Sequence, residues 1–120
     1  MMVGQWRDGF PWVTLTLPGL SGPLNVEFIV DTGFDGDLAL PEAMIRQLDA
    51  AILESRLISL AGAFRQRSYY YEMAIDWDGE PRPVEVLALE GNPLLGNDLW
   101  KDQALRAENA EGGEVIFEPF

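Results

Sequence analysis

The stretch Phe28-Ile29-Val30-Asp31-Thr32-Gly33-Phe34-Asp35-Gly36 decides how the rest of the chain is read. An apolar run passes directly into an acidic turn that carries two glycines. Just upstream, Leu24, Val26, Phe28 and Val30 alternate with Asn25 and Glu27, the period of a half-buried strand. Ile29 adds an apolar side chain on the second face, so the strand is expected to enter the core as it nears Asp31. Asp31 is thereby placed at a strand end, where an acidic side chain emerges from a rigid support.

Working outward, Val13, Leu15 and Leu17 alternate with Thr14 and Thr16, and Pro18-Gly19-Leu20-Ser21-Gly22-Pro23 reads as a turn. The two strands form a hairpin that delivers Asp31. Downstream, Leu38-Ala39-Leu40 is short and apolar. Pro41 and Glu42 suit a helix start, because Pro needs no amide partner there and Glu favours the positive end. Met44, Ile45, Leu48, Ala51 and Ile52 follow helical spacing and predict a helix packed on the sheet.

Arg56 to Ala61 reads as a strand, followed by a turn at Gly62-Ala63-Phe64. Tyr69, Tyr71, Met73, Ile75 and Trp77 alternate along a further strand that ends in the hairpin dipeptide Asp78-Gly79. Pro81 and Pro83 predict an irregular start to the next strand, Val84 to Leu89. Gly91-Asn92-Pro93 turns the chain into Leu94-Leu95-Gly96-Asn97-Asp98. Asn97 or Asp98 can cap a second short helix reaching about Arg106. Glu114 to Glu118 is a terminal strand. The expectation is one mainly β domain over residues 1–120 with about two short helices.

Composition narrows the chemistry. The 120 residues carry a net charge of −12, and Lys101 is the one lysine. Such a surface repels phosphate backbones and anionic head groups, so nucleic acid and membranes are not expected partners. The chain has no Cys and no His. That excludes disulfides, thiolate nucleophiles, His-metal sites and Ser-His or Cys-His catalysis. Carboxylates are left as the acid–base groups, and no metal or cofactor is expected. Met1 to Asp8 lacks a basic start followed by an apolar run, so no signal peptide is expected, and a cytoplasmic location is the default.

The extended Val30-Asp31-Thr32-Gly33-Phe34-Asp35-Gly36 string, a hairpin before it, a second hairpin turning near Gly62, and a later Leu94-Leu95-Gly96 occur in an order that resembles the retropepsin-like (clan AA) aspartic proteases, most of all the prokaryotic Asp-Thr-Gly-Phe-Asp-Gly type. The resemblance runs from Val13 to the C-terminus. It implies a retropepsin-like acid-protease fold, a closed and twisted β barrel. It implies an aspartic endopeptidase acting on peptides or proteins. The chain has a single Asp-Thr-Gly triplet, so it also implies a homodimer in which each chain contributes Asp31. By the same resemblance Thr32 holds the two loops together through its hydroxyl, and Gly33 permits an unusual turn conformation. Leu94, Leu95 and Gly96 pack beneath the loop. Leu60 to Arg67 forms a flap over substrate, and the terminal strand Glu114 to Phe120 pairs with its copy. Three departures stand out, one of them the single Gly, Gly62, in the flap turn. Phe34 replaces the small residue that follows the triplet in the retroviral enzymes, and Asn97 stands where they carry an Arg.

Other readings compete. Counted from Asp31, Asp35, Gly36, Leu38 and Glu42 fall at EF-hand positions five, six, eight and twelve, but Gly33 offers no ligand at position three and a strand enters where a helix is needed. Tyr69-Tyr70-Tyr71 suggests base stacking, which the charge opposes; alternating strand aromatics pack in sheets. Arg65 and Arg67 form a local positive patch, expected to balance nearby carboxylates rather than bind phosphate, with contact to an acidic substrate segment near the flap as the alternative. Since a fold does not fix a function, the alternative to an enzyme is a catalytically inactive binding or assembly module of the same fold.

Overall fold

The strand that leads into Asp31 owes its place to its own alternation. Val26 and Phe28 are buried while Asn25 and Glu27 are exposed, and then Phe28, Ile29 and Val30 are all buried. The computed structural model describes residues 1–59, 62 and 65–120. Numbered in chain order, the strands are β1 (Met2–Arg7), β2 (Phe10–Leu17), β3 (Leu24–Val30), β4 (Leu38–Leu40), β5 (Ala51–Ser59), β6 (Arg65–Trp77), β7 (Glu80–Ala88), β8 (Leu94–Leu95), β9 (Gln103–Ala107) and β10 (Glu114–Pro119). A single short helix, α1 (Glu42–Ile45), is present among the described residues.

The strands form one sheet in the order β5-β6-β7-β4-β8-β3-β2-β1-β10-β9. The chain is mainly β and forms one compact domain. The sheet runs open from β5 to β9, so the expected closed barrel is not formed by this hydrogen-bonded order. Its core joins Val13, Leu15, Phe28, Leu38, Leu40, Val86, Leu95, Leu99 and Phe117, all nearly inaccessible to solvent. Phe117 sits edge-on to Trp77 at 5.7 Å and tilted to Trp100 at 5.6 Å, geometries that suit aromatic quadrupoles.

The site's position depends on one feature of this order. β3 and β4 are consecutive in sequence, yet β8 lies between them. Ile29 and Val30 pair in parallel with Leu94 and Leu95, while Leu38 and Ala39 pair antiparallel with Leu95 and Leu94. The loop from Asp31 to Asp37 therefore bridges across the end of β8.

Several expectations are corrected. The first helix stops at Ile45 and does not continue to Ile52. The turn after β2 captures its continuation: Gln47 O accepts from Leu20 N at 2.9 Å and Asp49 N donates to Pro18 O at 2.8 Å, around a bridge between Gly19 and Leu48. Ala51 and Ile52 then open β5. The second expected helix is absent: Asn97 to Asp102 form turns, Asp102 takes a left-handed backbone (φ 64°), and Gln103–Ala107 pair with β10. Pro81 and Pro83 do not delay β7, which starts at Glu80. They oppose Asp76 and Ala74, alternate with hydrogen-bonded positions, and lie before β4 begins its pairing at Val86. Their missing amides thus fall on an unpaired edge.

Two further differences bear on association. The N-terminal residues, for which no strand was expected, form β1, joined to β2 by Asp8 and Gly9 in left-handed conformations. β10 pairs with β1 on one side and with β9 on the other. Both edges are occupied within one chain over Val115 to Phe117, which leaves Glu118 to Phe120 without a β1 partner, so the expected pairing of the whole segment Glu114 to Phe120 with its copy is not open to this arrangement. The flap expected over Leu60 to Arg67 lies partly outside the described residues; its arms are β5 and β6.

Candidate active site

Asp31 follows β3 directly, half-buried, and its backbone N–H donates to Leu95 O at 2.9 Å. The strand that holds the loop from below therefore fixes the root of the Asp31 side chain. Gly33 N–H donates to Asp31 Oδ1 at 2.9 Å, and Phe34 N–H to Asp31 O at 3.1 Å. A backbone donor aimed at one carboxylate oxygen sets the direction of the whole group. Of the close backbone approach and unusual turn conformation expected of Gly33, the structure shows the first; its backbone is not left-handed. Its role is closeness, since a Cβ here would stand 3.2 Å from Asp31 Oδ1. Thr32 is exposed at the tip of the turn.

The loop is held by a row of three successive amides. Gly96 N–H donates to Asp37 O at 2.8 Å, Asn97 N–H to Phe34 O at 2.8 Å, and Asp98 N–H to Gly36 O at 3.2 Å. The side chain of Asn97 adds a fourth contact, Nδ2 donating to Thr32 O at 2.6 Å. The Phe34 ring closes over the same region. A Cβ on Gly36 would stand 2.7 Å from Phe34 Cζ, and one on Gly96 2.8 Å from Phe34 Cδ2. Phe34, Gly36 and Gly96 are thus one packing unit: a large ring needs two bare backbones beneath it.

Asp37, at the far end of the loop, is half-buried. Its Oδ2 accepts from Glu85 N–H at 3.0 Å. Burial raises its pKa above the ordinary carboxylate value, with Asp98 adding repulsion, while the Glu85 amide and Arg82 act in the opposite direction. Arg82 Nη2 donates to Asp98 O at 3.0 Å, and Lys101 pairs with the Asp98 carboxylate at 2.6 Å.

A cleft of about 310 Å³ opens beside the loop, between Phe34–Leu38 and the hairpin β5–β6, with Arg56, Tyr70, Glu85 and Asp98 on its walls. Arg56 lies over the Tyr70 ring at 4.1 Å and pairs with Glu54 and Glu85. Hydrogen bonding to Arg56 lowers the Glu54 pKa. The cleft is large enough for a side chain of an extended peptide, and Asp31 lies outside it. Among the described residues no group of three or more carboxylates is arranged to hold a metal ion.

The residues singled out in the sequence, Asp31, Thr32 and Gly33, thus form one turn over Leu94-Leu95-Gly96. Sequence reasoning does not bring Asn97, Asp37 and Glu85 into this unit. Asn97 stands out there only as a departure or a helix cap, and Asp37 only as one acid among twenty. The available signal is Asp37 immediately before an all-apolar triplet, Leu38-Ala39-Leu40, which places its carboxylate at a buried boundary.

Comparison of the chain with protein-family models, with curated proteins and with solved structures gives no match. The functional assignment therefore rests on the residues and their geometry.

Proposed function

We propose that the protein is a retropepsin-like aspartic endopeptidase that is active as a homodimer, with one Asp31 from each chain. The observation that carries this reading is the suspension of Asp31-Thr32-Gly33 across β8, with the Asp31 amide held by Leu95 and its carboxylate oriented by Gly33 N–H. The Gly33 N–H bond alone is that of an Asx turn; what supports the reading is that the same loop is also docked on the three successive amides of Gly96, Asn97 and Asp98. Asp31 is half-buried and outside the neighbouring cleft, as a group would be that is completed by a second copy.

In the dimer two Asp31 carboxylates approach closely and share one proton, because two like charges at short range cannot both ionise easily. The ionised carboxylate takes a proton from water as the water oxygen bonds to the scissile carbonyl carbon. The protonated carboxyl donates to the developing oxyanion. Breakdown of the resulting diol passes a proton to the leaving amine and restores the shared proton. The titration belongs to the pair. No metal or cofactor enters this chemistry. The peptide would lie extended, with side chains entering the cleft beside Phe34 and Tyr70.

Incubation with a peptide library between pH 4 and 7 tests this. The wild type is expected to cleave, and Asp31→Asn to lose at least ~1000-fold, as expected when a group central to the transition state is removed. Equal cleavage by both proteins, or none by either in a confirmed dimer, would sink the assignment. One observation favours a second reading, a binding or assembly module without activity: β10 is paired on both edges from Val115 to Phe117, so most of the seam expected to bring two loops together is taken within the chain.

A further inference from the structure

The Thr32–Gly33 peptide unit is gripped at both ends. Its oxygen accepts from Asn97 Nδ2 at 2.6 Å, and its N–H donates to Asp31 Oδ1 at 2.9 Å. A peptide unit is planar. Whatever fixes the direction of its C=O therefore fixes the direction of its N–H. A donor on the oxygen also polarises the unit and strengthens the N–H as a donor.

The other end of the Asn97 amide sharpens the point. Oδ1 is buried and has no hydrogen-bond partner among the described residues. Burying an unpaired acceptor costs free energy, which an apolar side chain of the same shape would avoid. What Asn97 offers that an apolar residue does not is the bond from Nδ2 to Thr32. The backbone N–H of Asn97, which donates to Phe34 O at 2.8 Å, would be retained with any non-proline residue. Docking of the loop and orientation of its peptide are thus separable tasks of one residue.

We infer that Asn97 is the positioning residue for Asp31, acting through the Thr32–Gly33 peptide to aim the Gly33 N–H at the carboxylate. This deepens the protease reading, and its catalytic consequence rests on that reading; its geometric consequence does not. Two variants remove the donor. Asn97→Ala leaves space, whereas Asn97→Leu keeps the branched shape. A space-filling role would spare the leucine variant.

The direct readout is the Gly33 amide proton in ¹⁵N-resolved NMR, followed from pH 3 to 7 in proteins shown by circular dichroism to be folded. In the wild type this resonance is expected to respond to pH through its hydrogen bond to Asp31 Oδ1. The movement is expected to collapse in both variants. With an active wild type, kcat is expected to fall about tenfold with KM changed by less than about threefold, the pattern of a lost transition-state interaction of hydrogen-bond size. Wild-type movement of the Gly33 resonance in Asn97→Leu overturns the inference, as does an undiminished kcat in both variants. A wild type that cleaves nothing counts against the protease reading and leaves the Gly33 measurement to decide this one.

Discussion

Replacing Gly96 by Ala adds one methyl group at the junction of β8 and the loop, and the structure fixes what that methyl meets. Its carbon would stand 2.1 Å from Gly36 O, 2.7 Å from Phe34 O and 2.8 Å from Phe34 Cδ2. Two of these are backbone atoms, which no rotamer change can move aside. Reaching even a crowded carbon–oxygen contact demands a shift of about 1 Å in a close-packed region. The same carbonyls accept from Asp98 N–H at 3.2 Å and Asn97 N–H at 2.8 Å, so the shift strains two hydrogen bonds as well. Overpacking of this kind costs about 1–3 kcal/mol, and each weakened bond adds about 0.5–1.5 kcal/mol. A total of about 3 kcal/mol is expected.

For a chain of 120 residues, an unfolding entropy of about 0.25 kcal/mol/K converts this to a fall in Tm of about 12 °C. Differential scanning calorimetry of Gly96→Ala measures it, with Gly9→Ala as comparator. Gly9 has a left-handed backbone (φ 83°) and no atom within 4 Å of an added Cβ, so that variant isolates backbone strain at about 1 kcal/mol, or about 4 °C. The ordering is the prediction. A Gly96→Ala protein within about 2 °C of the wild type, or a Gly9→Ala protein that loses more, would refute the claim that the loop rests on Gly96 without slack.

Asp37→Asn tests the buried end of the loop. Burial raises the Asp37 pKa in the folded chain above its ordinary value, so between that unfolded value and the higher folded value the native state holds more protons. Stability then falls as pH rises through that window. Asn keeps an oxygen for the Glu85 amide and carries no charge, so the variant should gain Tm at pH 7 and lose that gain near about pH 3.5. A Tm difference that does not depend on pH would contradict the cause assigned. Association should respond to pH in the same direction. Each chain carries −12 and a dimer twice that, −24, so protonating carboxylates between pH 7 and 5 should strengthen the dimer in sedimentation experiments; steady weakening while the chain stays folded would count against it.

The strands that carry the site were legible because alternation is local. Leu24 to Val30 and Tyr69 to Trp77 stand in strands as their patterns put them, whereas Leu94-Leu95, a strand of two residues, has no alternation to read. The first helix starts at Glu42 as read but ends early, and the second does not form; in both places strand-like pairing took over backbone that the helical reading had claimed. Leu48 had helical spacing, but the turn at Pro18–Leu20 took its neighbours' backbone groups. Gln103 to Ala107 had a cap before it, but β10 offered an edge. The β1–β2 hairpin was missed although Asp8-Gly9 repeats the dipeptide read correctly at Asp78-Gly79. Here Arg7 and Phe10 flank the turn, and Met2 to Arg7 alternate only weakly. Asn97 was visible as a departure from the resembled family; its contact with Thr32, 65 residues away, was not.

The occupied edges of β10 change what a dimer here must be. If the terminal strands cannot meet, the contact has to form through side chains and turns around the exposed Thr32, or through β5 or β9, the two edges left open. β5 presents Ile52, Leu53 and Leu57 to solvent and is displaced in register at Leu53, a device that blunts strand-to-strand pairing. β9 has no such irregularity and carries only one charged residue, Arg106, which reaches Glu114 within the same chain. Apolar surface beside β5 and backbone edge at β9 are therefore different kinds of contact. Only a contact that brings the exposed turn of one chain onto that of the other would bring two Asp31 carboxylates together. Dimer formation alone would consequently leave the protease reading open, and dimer formation that fails on substitution at Thr32 would support it.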